Sequence, residues 1–194
     1  TMTHHRPAVF LDRDGTIIED RGDLSDSSQV VFFDDTFESL RMLQEHFALF
    51  IVTNQSGISK GNITLQDAEM VNAHVVSSLA RAGVKIEQVY VCPHQRADEC
   101  QCIKPRPFFL RQAGKEYAID LEHSYAIGDH PHDVEFAESA GARGIYVLSG
   151  HGQKHRRELH EGVVVVPGIA QAAQMILEAL SAGKKNRGGN LCDT

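Results

Sequence analysis

Val9 to Ile17 reads VFLDRDGTI, and the way this run ends decides the fold. Val9, Phe10 and Leu11 are apolar without alternation, as in a short strand covered on both faces. Asp12 and Asp14 follow with Arg13 between them, then Gly15 and Thr16. Two carboxylates this close repel each other and are costly to desolvate. Either the pair stands in solvent or a cationic group holds it.

Outward from this strand, which begins near Ala8, the chain alternates between two periodicities. Phe37, Leu40, Leu43 and Phe47 recur at helical spacing over residues 34–47. Leu49 to Val52 reads as a second strand, followed by the polar loop NQSGISKGNIT. Thr64 caps a long helix with Asp67 three residues on, and Gly83 stops it. Val89 to Val91 is a third strand, Pro107 to Tyr117 a helix, and Tyr125 to Ile127 a fourth strand. Val134 to Ala140 reads as a helix, Gly144 to Leu148 and Val163 to Val166 as strands, and Ile169 to Leu180 as the last helix. Strands alternating with helices give an α/β fold: a doubly wound, mainly parallel, Rossmann-like sheet with helices on both faces. Residues 1–181 form a single domain in this reading, and residues 182–194 a flexible tail.

The bulk properties exclude some classes. The 194 residues carry a net charge of -7, which gives no general attraction to nucleic acid or to an anionic membrane. No apolar run approaches the roughly 18 residues of a membrane span, and Thr1 to Pro7 has no signal-peptide core. A soluble, cytoplasmic monomer without nucleic-acid or membrane partners is expected.

In an open α/β sheet, ligands bind beyond the carboxyl ends of the strands. Asp12 and Asp14 follow the first strand, Thr53 and Asn54 the second, Lys104 the loop after the third, and Asp129 and Asp133 the fourth. Asp12 and Asp129 could hold a hard cation such as Mg²⁺ through oxygen. Lys104 and the Thr53 hydroxyl could bind the oxygens of a phosphate that completes its coordination. One carboxylate could attack phosphorus and the other transfer a proton.

DRDGT (Asp12 to Thr16), VTNQSG (Val52 to Gly57), Lys104 in KP, and GDHPHD (Gly128 to Asp133) resemble, in order, the four motifs of the haloacid dehalogenase-like hydrolases. The resemblance covers residues 8–148. It implies that Asp12 is the nucleophile and a Mg²⁺ ligand. Asp14 is then the general acid, then the base that activates water, and it ligates Mg²⁺ through its backbone carbonyl. Thr53 and Lys104 stabilise the phosphoryl group, Asp129 is a further Mg²⁺ ligand, and Asp133 supports the metal site from behind. An acid at position 14 resembles the phosphatases of the family rather than its dehalogenases.

CPHQRADECQC places Cys92, His94, Cys100 and Cys102 in one loop, enough for a closed tetrahedral Zn²⁺ site that stiffens the loop and places Lys104. The pattern resembles that of the heptose bisphosphate phosphatases and the related histidinol-phosphate phosphatases. Four features depart from it. Ile103 stands where these enzymes usually carry arginine, Ile18 where they usually carry asparagine, His130 where lysine is frequent, and the segment Asp20 to Asp23 lacks the aromatic usually found at its end. The chemistry reads as intact and the substrate selection as altered. Asp20, Arg21, Gly22 and Asp23, with Asn54, Gln55 and Ser56, are the candidate substrate contacts.

Only 38 residues separate Asp14 from Thr53 and 50 separate Thr53 from Lys104, so no separate cap domain is expected and the pocket is open. The expected activity is a Mg²⁺-dependent phosphatase acting on a small phosphorylated metabolite, a heptose-type sugar phosphate or bisphosphate. The alternatives are histidinol phosphate as substrate, transfer of the phosphoryl group to another acceptor, a nucleic-acid end phosphatase, and a phosphate-binding module without catalysis. His130 and His132 read as solvated loop residues. The segment from His151 to His160 reads as a solvated basic face, and Cys192 as a free thiol.

Overall fold

Alternate residues of the first strand enter two different cores. The computed structural model describes residues 5–188. In β1 (Ala8–Leu11), Val9 and Leu11 join one apolar cluster while Ala8 and Phe10 join the other. The strand is buried along its whole length, which explains why its sequence does not alternate. Phe10 stacks on Phe50 with ring centroids 5.1 Å apart.

After β1 come α1 (Thr36–Gln44), β2 (Ala48–Asn54), α2 (Leu65–Arg81), β3 (Gln88–Cys92), α3 (Phe108–Glu116), β4 (Tyr125–Gly128) and α4 (Pro131–Glu138). β5 (Arg143–Val147), the short α5 (Gly152–His155), β6 (Val164–Val166) and α6 (Ile169–Gly188) complete the described residues. The strands form one sheet in the order β3-β2-β1-β4-β5-β6, and every pairing is parallel. Leu40 and Leu43 of α1, Val71, Val75 and Leu79 of α2 and Ile169 and Ile176 of α6 cover one face. Phe109 and Leu110 of α3 and Phe136 of α4 cover the other. The doubly wound expectation holds, and neither interval around β2 carries a separate folded cap among the described residues.

Local chemistry sets the boundaries. The Thr64 hydroxyl accepts from the Asp67 amide at 3.0 Å, and the Asp67 carboxylate accepts from the Thr64 amide at 2.9 Å. Such a box is worth about 1 kcal/mol at a helix start. α4 begins at Pro131 rather than at Val134. Proline at the first helical position carries a preset φ, and Asp133 accepts from the His130 amide at 3.1 Å. The last helix runs on to Gly188, past the expected end at Leu180 and into the expected tail. Cys192 and the rest of that tail lie outside the described residues. No helix among the described residues is long and apolar enough to cross a membrane.

The order of strands reverses direction at β1. The chain leaves β1 toward β2 and β3, then returns across it to β4. The crevice at such a reversal, beyond the strands' carboxyl ends, is where an open α/β sheet offers a site. Asp12 and Asp129 directly follow the two strands that flank it.

Candidate active site

The ends of β1, β2 and β4 and the loop after β3 bring the expected residues together. The Lys104 ammonium donates to Asp12 at 2.9 Å, to Asp133 at 2.6 Å and to the Val52 carbonyl at 3.0 Å. Lys104 is buried, so its three protons are all spoken for by protein oxygens. The two carboxylates hold it charged, raising its pKa despite its burial.

Asp129 sits between two glycines. A β-carbon on Gly15 would lie 2.1 Å from the Asp129 carboxylate, and one on Gly150 would lie 2.3 Å from it. Both glycines also have positive φ, at +82° and +56°. The His151 amide donates to the same carboxylate at 2.7 Å.

Asp12, Asp129 and Asp133 each offer an oxygen, and these oxygens lie within 4.8 Å of one another. Three carboxyl groups face a single lysine here. Burial pushes Asp12 up to about 6, against the pull of Lys104. Burial also pushes Asp129 up to about 8, with further upward pressure from the Asp12 and Asp133 charges. A cluster of hard oxygens with this surplus of negative charge fits a divalent cation such as Mg²⁺.

Asp14 is held differently. Arg13, fully buried, donates to its two carboxylate oxygens at 3.1 and 3.0 Å and to Asn72 at 2.7 Å. Gln55 donates to Asp14 at 2.9 Å and to the Thr53 hydroxyl at 2.8 Å. Burial still raises the Asp14 pKa, opposed by the Arg13 charge. A carboxyl group so oriented can exchange a proton at modest cost.

Sequence reading gave Arg13 and Asn72 no role. For Asn72 the signal was present, since it lies on the buried stripe of α2 among Ala68, Val71 and Val75. Arg13 carried no comparable mark, because an arginine next to two acids also suits a solvated turn.

The candidate substrate contacts are dispersed by comparison. Gln55 serves Asp14 and Thr53, and Asn54 accepts from the Lys104 amide at 3.3 Å. Ser56 accepts through its carbonyl from the Lys60 amide at 3.1 Å. Asp20 accepts from the Gly22 amide and pairs with His151, both at 2.9 Å. Arg21 pairs with Glu19 in solvent at 2.9 Å. Asp23 accepts from Asn62 at 2.7 Å.

In the loop after β3, the Cys92 sulfur lies 3.6 Å from that of Cys100 and 3.7 Å from His94 Nδ1. The Cys102 sulfur lies 3.2 Å from Cys92, 3.4 Å from His94 Nδ1 and 3.7 Å from Cys100. No pair is a disulfide, which requires about 2.05 Å. Zinc bonds of about 2.3 Å to sulfur and about 2.1 Å to nitrogen put tetrahedral ligands roughly 3.5–3.8 Å apart, so the four groups fit one zinc ion. The loop carries Lys104 two residues after its last cysteine, and Arg96 donates to the Lys104 carbonyl at 3.3 Å.

His130 and His132 differ from expectation. Both are half-buried and lie with ring centroids 4.4 Å apart. His130 accepts from the His132 amide at 3.2 Å as part of the cap of α4, which draws it in from solvent.

Comparison with known proteins places this geometry. A HAD-hydrolase-like family model matches residues 101–172. The D-glycero-beta-D-manno-heptose-1,7-bisphosphate 7-phosphatase of Yersinia pestis is 39% identical over 147 residues, covering 72% of this chain and 78% of that protein. The Escherichia coli K12 enzyme of the same name is 34% identical over 188 residues, 93% of each chain. The crystal structure of D,D-heptose 1,7-bisphosphate phosphatase from B. bronchiseptica, with magnesium and phosphate, superposes with a TM-score of 0.82 at 27% identity. It covers 89% of this chain and 99% of that one. Sequence and fold agree: the chain belongs to the haloacid dehalogenase-like phosphatases.

Proposed function

We propose that this protein is a Mg²⁺-dependent phosphatase that removes a phosphate from a sugar bisphosphate of the heptose 1,7-bisphosphate type. The observation that carries the reading is the pairing of two carboxyl groups in different settings. Asp12 lies at the open strand end against Lys104, and Asp14 is clamped by Arg13 and Gln55. The names of the relatives and the magnesium and phosphate of the structural neighbour support it.

Asp12, Asp129 and the backbone carbonyl of Asp14 would hold the cation, and Asp133 would brace Lys104 beside it. When bound, Mg²⁺ neutralises the crowded carboxylates and polarises the phosphoryl oxygens. Lys104, releasing its bond to Asp12 as that carboxylate turns to the cation and phosphorus, and the Thr53 hydroxyl orient the phosphoryl group. An Asp12 oxygen attacks phosphorus, and the bond from phosphorus to the sugar oxygen breaks as Asp14 delivers its proton to that oxygen. Asp14, now ionised, takes a proton from water. The water oxygen attacks phosphorus, releases phosphate and restores Asp12.

Gln55 keeps Asp14 aimed by fixing one of its oxygens. Asp20, Arg21, Gly22 and Asp23 form the rim against which the sugar rests, with Asn54 and Ser56 beside Thr53. The Cys92–His94–Cys100–Cys102 set holds a structural Zn²⁺ that fixes the approach to Lys104.

The test is phosphate release from heptose and hexose mono- and bisphosphates, histidinol phosphate and nucleotides, with and without Mg²⁺, beside Asp12→Asn. Mg²⁺-dependent release from the heptose bisphosphate, abolished by the substitution, is the expected result. Release that survives Asp12→Asn refutes the nucleophile assignment, and a preference for histidinol phosphate refutes the substrate class.

A further inference from the structure

Beside the carboxylate cluster lies a second group of ligating side chains that the phosphatase chemistry does not use. His130, His155 and Glu158 each offer one ligand atom, and the three lie within 4.8 Å of one another. The rings of His130 and His155 have centroids 4.6 Å apart. We propose that these three residues form a binding site for a transition-metal ion of the zinc class at the edge of the catalytic cleft.

The hydrogen bonds indicate how the site works. His155 Nδ1 lies 2.7 Å from Glu158. An ion that takes both of these atoms replaces the hydrogen bond between them, and the His155 proton is then carried on Nε2. His130 accepts from the His132 amide through Nδ1 at 3.2 Å. Coordination through Nε2 moves the His130 proton to Nδ1 and exchanges that long cap bond for a bond to the metal. Glu158 is more than half exposed, so its carboxylate is free to adjust around an ion shared with His155 Nδ1.

Imidazole with one carboxylate suits zinc, cobalt and nickel and selects against magnesium, which prefers an all-oxygen set. Arg96 contacts His132 rather than the ligating groups. With three protein ligands, the site keeps an open coordination position, unlike the closed cysteine loop. His130 directly follows Asp129, so an ion here stands next to the site proposed for Mg²⁺.

Equilibrium dialysis of the full chain against Zn²⁺ in millimolar Mg²⁺, with bound zinc counted by mass spectrometry, tests the proposal. The native chain should hold one more zinc per chain than either His155→Ala or Glu158→Gln. The variants should keep the cysteine-loop zinc and the native thermal melt, and bind the additional ion about tenfold or more weakly. Cobalt gives a second readout: the ion lost in the variants should lack the thiolate charge-transfer absorption of cobalt in the cysteine loop. Equal zinc in the native chain and both folded variants overturns the proposal. So does thiolate absorption from every bound cobalt.

Discussion

Binding of Mg²⁺ to this protein should release protons, in a number set by the crowding of Asp12 and Asp129. In the metal-free protein these carboxyls titrate at about 6 and about 8 as a mutually interacting pair. Both must be ionised to hold the cation. Proton release per Mg²⁺ should then be ~1.5 at pH 6, ~1 at pH 7 and ~0.5 at pH 8. Integrated over that range, affinity should tighten ~100-fold from pH 6 to pH 8. Stability follows with the opposite sign. Both groups keep their protons longer when folded than the ~3.9 of an unfolded carboxyl. Metal-free stability is therefore fullest below about pH 4 and falls as pH rises through about 8 for these two groups. Saturating Mg²⁺ should reverse this loss. Titration calorimetry in buffers of different ionisation enthalpy gives the proton count directly. A release below ~0.3 at both pH 6 and pH 7, with a pH-independent Kd, would refute the claim that these two buried acids receive the ion.

Asp14→Asn removes the proton donor and the base but leaves Asp12 able to attack; an activated aryl phosphate should therefore leave a covalent phospho-enzyme detectable by intact mass, and its absence alongside steady turnover refutes the assigned roles. Arg13→Met strands Asp14 without its buried partner; urea unfolding should show a loss of about 3 kcal/mol, and a change under about 1 kcal/mol refutes the clamp. Thr16 is buried and its hydroxyl has no hydrogen-bond partner, so Thr16→Val should raise unfolding free energy by about 1 kcal/mol in the same assay. Cys102→Ser should lower the zinc content and the melting temperature together, and a lower melting temperature at unchanged zinc would dissociate the loop's stability from its metal.

Most of the fold was legible because both of its signals are local. The unbroken apolar runs of β1 and β2 and the 3–4 spacing in α1 state their burial directly. What was missed depends on groups that meet only in three dimensions. The start of α4 was read at Val134 because Asp133 was taken only as a site residue, whereas it serves two functions: it caps the helix through the His130 amide and braces Lys104. The end of α6 was missed because glycine and lysine in residues 181–188 suit a tail as well as a last turn. Asp12, Thr53, Lys104 and Asp129 are candidates from their positions after strands, and the fold brings them to one edge of the sheet. The partners of Asp14 were not legible in this way, since nothing in the order of residues says that Asn72, on a helix far along the chain, closes the other end of Arg13.

The donor sets in this molecule differ in hardness, and that difference is what lets them coexist. The cysteine loop offers three sulfurs and a nitrogen, the carboxylate cluster only oxygens, and the group around His155 two nitrogens and a carboxylate. Zinc placed in the carboxylate cluster would gain no soft ligand, whereas in the cysteine loop it would gain three, so the loop should fill first. Magnesium has the reverse preference and dehydrates reluctantly, which should confine it to the carboxylates. Lys104 is the physical link between the first two sets. Its backbone amide is tied to Asn54 and its carbonyl to Arg96 of the cysteine loop, while its ammonium spans Asp12 and Asp133. Ordering the loop around zinc should therefore narrow the positions open to that ammonium, and with it the point at which a phosphoryl group would meet Asp12.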